Sequence, residues 1–143
     1  MTMDTHEHCE ATRRPRILVI EDEAGLLDIL TVNLEAVGYE VIGAADGLAG
    51  LQAFDRELPD LVVLDINLPI ISGFRLLELF RASARPATPV LALTALDFAE
   101  AEDLARRGLD AFLSKPFDPE AVLALVARLL GRPAGETPNA GGQ

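Results

Sequence analysis

The sequence predicts an α/β protein built on a doubly wound, five-stranded parallel sheet of strand order 2-1-3-4-5. Three observations lead there. Short apolar runs alternate with helical patterns five times along the chain. The runs are apolar at successive positions, as in strands buried on both faces. Three of the helical patterns stop at the breakers Gly38, Pro59 and Gly108.

Each element follows from its own residues. Arg16–Ile20 (RILVI) is an apolar run that ends in acids. Ala24–Val37 has apolar residues at 27, 30, 34 and 37, one face of a helix. Tyr39–Ala44 (YEVIGA) reads as a strand, and Leu48, Leu51, Phe54 and Leu58 make an apolar helix face over Leu48–Leu58. Leu61–Ile66 (LVVLDI) is rich in β-formers, and Gly73–Ser83 is an amphipathic helix. Val90–Thr94 (VLALT) is the fourth strand, followed by a polar helix over Phe98–Arg107. Ala111–Ser114 and Pro119–Leu130 complete the fifth pair. Parallel strands joined by right-handed crossovers leave few topologies, and the flavodoxin-like (βα)5 arrangement is the leading one.

Bulk properties narrow the function classes. The length of 143 residues suits one domain. A net charge of −11 disfavours direct nucleic acid binding, which needs clustered Lys and Arg against phosphates. No apolar run approaches the roughly 20 residues of a membrane span, and the N-terminus lacks a signal-peptide core. The single cysteine, Cys9, fits a reducing compartment, so the expectation is a cytoplasmic protein. Residues 1–15 read as a disordered arm, 16–131 as the folded domain, and the Pro/Gly-rich 132–143 as a flexible tail or linker. His6, His8 and Cys9 lack an obvious fourth ligand and are set aside as a metal site.

In a doubly wound sheet, ligands bind beyond the carboxyl ends of the strands. Strand 1 ends in Glu21-Asp22-Glu23, strand 3 in Asp65, strand 4 in Thr94, and strand 5 runs into Lys115. Taken singly, these are ordinary turn acids, capping residues and strand threonines. Together they place carboxylates, a hydroxyl and the chain's single lysine at one edge. Carboxylates packed together favour a cation among them, and an all-oxygen set suits Mg2+. An Asp carboxylate can attack phosphorus and form an aspartyl phosphate. A hydroxyl and a compact ammonium can then meet the phosphoryl oxygens.

With these residues in order, the chain resembles the receiver domain of two-component response regulators. The likeness runs from about Arg16 to Gly131 and is carried by ILVIEDE, LVVLDINLPIISG, LALTA and FLSKPF. The resemblance implies that Asp65 accepts a phosphoryl group from a sensor histidine kinase or phosphotransfer protein, with Mg2+ as cofactor. It assigns Glu21, Asp22, Asp65 and the backbone carbonyl of Asn67 to the metal. Thr94 and Phe112 would be the switch residues, Ala95 would leave room for the phosphoryl group, and Lys115 would bind it. A cis Lys115–Pro116 peptide bond is also implied. Output would pass through the helix 4–strand 5–helix 5 face, including a possible homodimer there. Phe112 stands where many members carry Tyr, and Ala111 and Leu125 where the winged-helix branch carries charges. Either a stand-alone receiver or the receiver part of a longer regulator fits.

Two other functional classes fit the residues less well. A Mg2+-dependent phosphatase with an aspartyl nucleophile needs a second Asp as general acid, and position 67 is Asn. The expectation is therefore no enzyme beyond catalysis of its own aspartyl phosphorylation and dephosphorylation. A phosphorylation-independent binding module would not need the complete strand-end set. The final helix adds an expectation of its own. Val122, Leu123, Leu125, Val126, Leu129 and Leu130 exceed one apolar stripe, which suggests a face covered by a partner or a second copy.

Overall fold

All five apolar runs form strands, and the crossovers bring them into one parallel sheet of order β2-β1-β3-β4-β5. The structure, a computed structural model, describes residues 13–95 and 98–131 of the chain. Apart from Arg13, Arg14 and Pro15, the expected arm and tail lie outside the described residues. The elements are β1 (Arg16–Ile20), α1 (Ala24–Ala36), β2 (Glu40–Ala44), α2 (Gly47–Glu57), β3 (Leu61–Asp65), α3 (Gly73–Arg81), β4 (Val90–Thr94), α4 (Phe98–Arg106), β5 (Ala111–Ser114) and α5 (Pro119–Leu130).

Strand residues alternate between two apolar layers. Leu18, Ile20, Val62, Leu64, Val90 and Ala92 face Ala53 and Phe54 of α2, Leu76, Leu77 and Phe80 of α3, and Leu104 of α4. Ile17, Val19, Leu61, Val63, Leu91 and Leu93 face Leu30 and Leu34 of α1 and Val122, Val126 and Leu129 of α5. The central strands β3 and β4 are buried at every position, which is why they read as unbroken apolar runs. Each fully buried Leu, Val or Ile contributes about 1.5–3 kcal/mol.

Differences from the expected boundaries have local causes. Asp46 caps α2 by accepting from the Ala49 N–H at 2.7 Å, so the helix starts at Gly47, one residue early. The α1 helix stops before Val37, and the turn is closed by Gly38 at φ +104°. Leu58, at φ +52°, ends α2. Ile66 lies past the end of β3, although its N–H still donates to Leu93 O at 3.1 Å.

At the amino end of the sheet, Arg81 ties three segments together. Its guanidinium donates to Gly108 O, Pro86 O, Thr88 O and Asp110 Oδ2, at 2.6 to 3.0 Å. The α3–β4 and α4–β5 connections are thereby held under β4 and β5.

The expectation that the apolar side chains of α5 exceed the cover the domain itself supplies is corrected. Val122, Val126 and Leu129 are buried, while Leu123, Leu125 and Leu130 are half-buried against the same apolar layer. The helix packs on α1 as well as on the sheet, so it has two apolar neighbours instead of one. Among the described residues, no helix is long and apolar enough to cross a membrane.

Candidate functional site

Strand register decides which residues meet at the carboxyl edge. Ile20 pairs with Ala44 and Leu64, Asp65 with Leu93, and Thr94 with Ser114. The residues that follow or end these strands therefore emerge side by side. The Lys115 N–H donates to Thr94 O at 2.8 Å, which extends the β4–β5 pairing by one residue and sets the lysine beside Thr94. The Lys115–Pro116 peptide bond is cis.

The acids gather as the strand ends require. Ligand oxygens of Glu21, Asp22 and Asp65 all lie within 4.8 Å of one another. Glu21 and Asp65 are 1% and 2% exposed, whereas Asp22 is open to solvent. Lys115 Nζ stands 3.4 Å from Asp65 Oδ1 and 3.7 Å from Glu21 Oε1, so one ammonium faces two buried carboxylates.

Backbone amides hold the two carboxylates in place. The Asn67 N–H donates to Asp65 Oδ1 at 3.0 Å, and the Glu23 N–H donates to Glu21 Oε2 at 3.1 Å. Each acid thus accepts from the residue two places on, and at Asp65 this makes the local turn that Asp and Asn side chains favour. The sequence reading did not include these amides; the spacing Asp65-x-Asn67 was the available signal. Gly73 fixes the far end of the β3–α3 loop. A Cβ there would stand 2.5 Å from Ile66 Cα, so only glycine lets α3 start this close to the acid strand.

The electrostatics of Glu21 bear on metal binding. Burial, with help from the neighbouring Asp65 charge, pushes its carboxyl up to about 7 against the pull of the Glu23 N–H and Lys115. Its Oε1 is buried without a hydrogen-bond partner, because Lys115 at 3.7 Å is too distant to donate. A buried carboxylate oxygen left without a donor is costly, and a cation would satisfy it. The all-oxygen donors and this orphaned atom fit Mg2+.

The remaining candidates sit around this centre. Thr94 is fully buried at the end of β4, and Ala95 beside it is exposed. Phe112 is 38% exposed on β5 and pairs with Ala92. In a parallel pair, facing residues share a side of the sheet, and Thr94 lies two places after Ala92. Phe112 and Thr94 therefore project to the same side, that of α4. Phe112 lines a groove of about 330 Å3 with Ala105 and Leu109 on one flank and Leu125 and Arg128 on the other.

Comparisons with known proteins agree with this geometry. The DNA-binding dual master transcriptional regulator RpaA of Synechocystis is 42% identical over 122 residues, which cover 82% of this chain and 50% of that protein. The alkaline phosphatase synthesis transcriptional regulatory protein PhoP of Bacillus subtilis is 39% identical over 118 residues, covering 82% of this chain and 49% of that protein. The chain spans about half the length of the curated relatives it matches. Among solved structures, a CheY-like receiver domain protein from Methanospirillum hungatei superposes with a TM-score of 0.78 at 31% identity, over 82% of this chain and 94% of that one. The receiver domain of a sensor histidine kinase from Pseudomonas aeruginosa gives 0.75 at 27% identity, over 82% of this chain and 98% of that one. That structure carries a magnesium ion coordinated in its active-site cleft. The response regulator receiver domain profile matches residues 17–127, and with the fold and the strand-end cluster it shows that this chain belongs to the response regulator receiver domain family of two-component systems.

Proposed function

We propose that the chain is a phosphorylation-controlled signalling switch, with Asp65 as phosphoryl acceptor and a sensor histidine kinase or phosphotransfer protein as donor. The observation that carries this reading is the ammonium of Lys115 facing the Asp65 carboxylate beside the orphaned oxygen of Glu21. In the transfer, an Asp65 oxygen attacks phosphorus, the O–P bond forms, and the N–P bond of the phosphohistidine breaks. The electron pair returns to the imidazole nitrogen. The Asn67 N–H and Lys115 orient Asp65, since both address Oδ1. Lys115 is then placed to meet a phosphoryl oxygen, and Thr94 lies beside it in the neighbouring strand.

Mg2+, held by Glu21, Asp22, Asp65 and the Asn67 carbonyl, would supply charge neutralisation for the transferring group. Phosphorylation would act outward through Thr94 and Phe112, which share a side of the sheet, to the groove between α4 and α5. That groove is the surface for an output partner or a second copy. The function is switching, not turnover of an external substrate, and the site fits a stand-alone receiver or the receiver part of a transcriptional regulator. Titrating the chain with Mg2+ and beryllofluoride, followed by amide NMR, tests this reading. Shifts at Thr94, Phe112 and Lys115 that require both additions are expected; a spectrum unchanged by either contradicts it.

A further inference from the structure

Two non-glycine residues among those described have positive φ, Leu58 at +52° and Ile70 at +67°. Leu58 has a structural reason, since it terminates α2. Ile70 ends no helix, and the α3 cap is supplied by Ser72. The Ile71 N–H donates to Pro69 O at 2.7 Å, which makes Ile70 the centre of a three-residue turn of the rare, strained γ class. A β-branched side chain is poorly suited to that backbone region. Ile70 is also 98% exposed, the most exposed large apolar side chain described. Its loop neighbours behave differently: Leu68 is 7% exposed, and Ile71 packs against the core. The loop therefore turns two apolar residues inward and presents one at its apex, at a cost in both backbone strain and hydration.

The position of that apex says what covers it. Asp65 is 2% exposed, so a phosphodonor must descend on it from above the carboxyl edge of the sheet. The loop that holds Ile70 begins at Asp65 itself and closes on Ile66, whose carbonyl accepts from the Gly73 N–H at 3.0 Å. Gly73 packs against the Asp65 carbonyl, where a Cβ would meet the oxygen at 2.9 Å, and the three residues back to Ile70 reach at most about 10 Å. A standard interface covers about 800 Å2 on each partner, a disc about 16 Å in radius. A protein centred over Asp65 therefore covers Ile70.

We propose that Ile70 is an apolar anchor that docks the phosphohistidine-bearing partner, inserting into an apolar recess beside its phosphorylated histidine. This rests on the assignment of Asp65 as acceptor of a histidine-borne phosphoryl group. Ile70 takes no part in the chemistry; its role is to dock the large donor, so small donors do not use it.

The test compares wild type with Ile70→Asn and Ile70→Gly, both of which suit a positive φ. The donors are acetyl phosphate and a panel of radiolabelled, autophosphorylated sensor-kinase cytoplasmic domains from the organism that encodes the chain, using the fastest donor to wild type. Both variants are expected to unfold at a denaturant midpoint equal to or above wild type and to accept phosphoryl from acetyl phosphate at the wild-type rate. Their kcat/KM with the kinase should fall about tenfold or more. Transfer at the wild-type rate overturns the proposal. So does an equal loss with both donors, which would place Ile70 in the site's own geometry. Unchanged transfer with altered self-association would assign Ile70 to a second copy instead. If wild type accepts from neither donor class, the acceptor reading itself fails.

Discussion

Lys115 Nζ lies 3.4 Å from Asp65 Oδ1, and this contact joins the chain's single lysine to the carboxylate at the end of the central strand. Every other basic side chain apart from the histidines is Arg. The site is narrow: the same ammonium faces Glu21, and its backbone N–H is held by Thr94. A flat guanidinium fork needs more width than a point charge on a flexible stem. Lys115→Arg should therefore keep the charge and still lower the rate of phosphoryl incorporation from acetyl phosphate about tenfold or more, measured by intact-mass kinetics. A wild-type rate would reduce the lone lysine to a compositional accident.

Glu21 makes the metal-free domain pH-sensitive. An acid whose carboxyl rises from 4.5 to about 7 on folding binds more protons folded than unfolded. Its contribution to stability therefore falls as pH rises between those two values and is flat on either side. The slope is at most about 1.4 kcal/mol per pH unit. Denaturant midpoints measured across this window without Mg2+ should decline for wild type and less steeply for Glu21→Gln. Added Mg2+ favours the ionised form, so its affinity should rise with pH until Glu21 is fully ionised. An identical pH profile for the two proteins would contradict the burial argument.

Gly73 couples the helix behind the site to the acid strand. A methyl group there would meet Ile66 Cα at 2.5 Å and Asp65 O at 2.9 Å, both backbone atoms that cannot swing aside. Gly73→Ala should destabilise the domain by about 1–3 kcal/mol and weaken Mg2+ binding, because the loop carrying Asn67 has to shift. Urea unfolding and Mg2+ titration read the two effects. Wild-type values in both would show that α3 can back away freely.

What could be read from the residues depended on how local the cause was. Strands β3 and β4 stand where their apolar runs do, because both faces of the central strands are buried and no alternation hides them. The site acids, Thr94 and Lys115 were legible because the topology sends strand ends to one edge. The surplus apolar side chains of α5 were misread, since helical period alone does not reveal that α1 supplies a second apolar neighbour. Arg81 gave no signal, because its acceptors are mostly backbone carbonyls, two in the connection just after its helix and one 27 residues away at Gly108. Ile70 was hidden for a similar reason. In LPIISG three apolar side chains look alike, and only the positive φ turns one of them outward.

The central claim is that Asp65 takes the phosphoryl group, and intact-mass analysis after incubation with acetyl phosphate and Mg2+ tests it most directly. Asp65 is buried, and its Oδ1 is addressed by Lys115 and the Asn67 N–H, so Asp65→Asn keeps the shape and removes the nucleophile. Wild type should gain one acid-stable, base-labile phosphoryl group, and the variant none. Equal incorporation by Asp65→Asn would contradict the account.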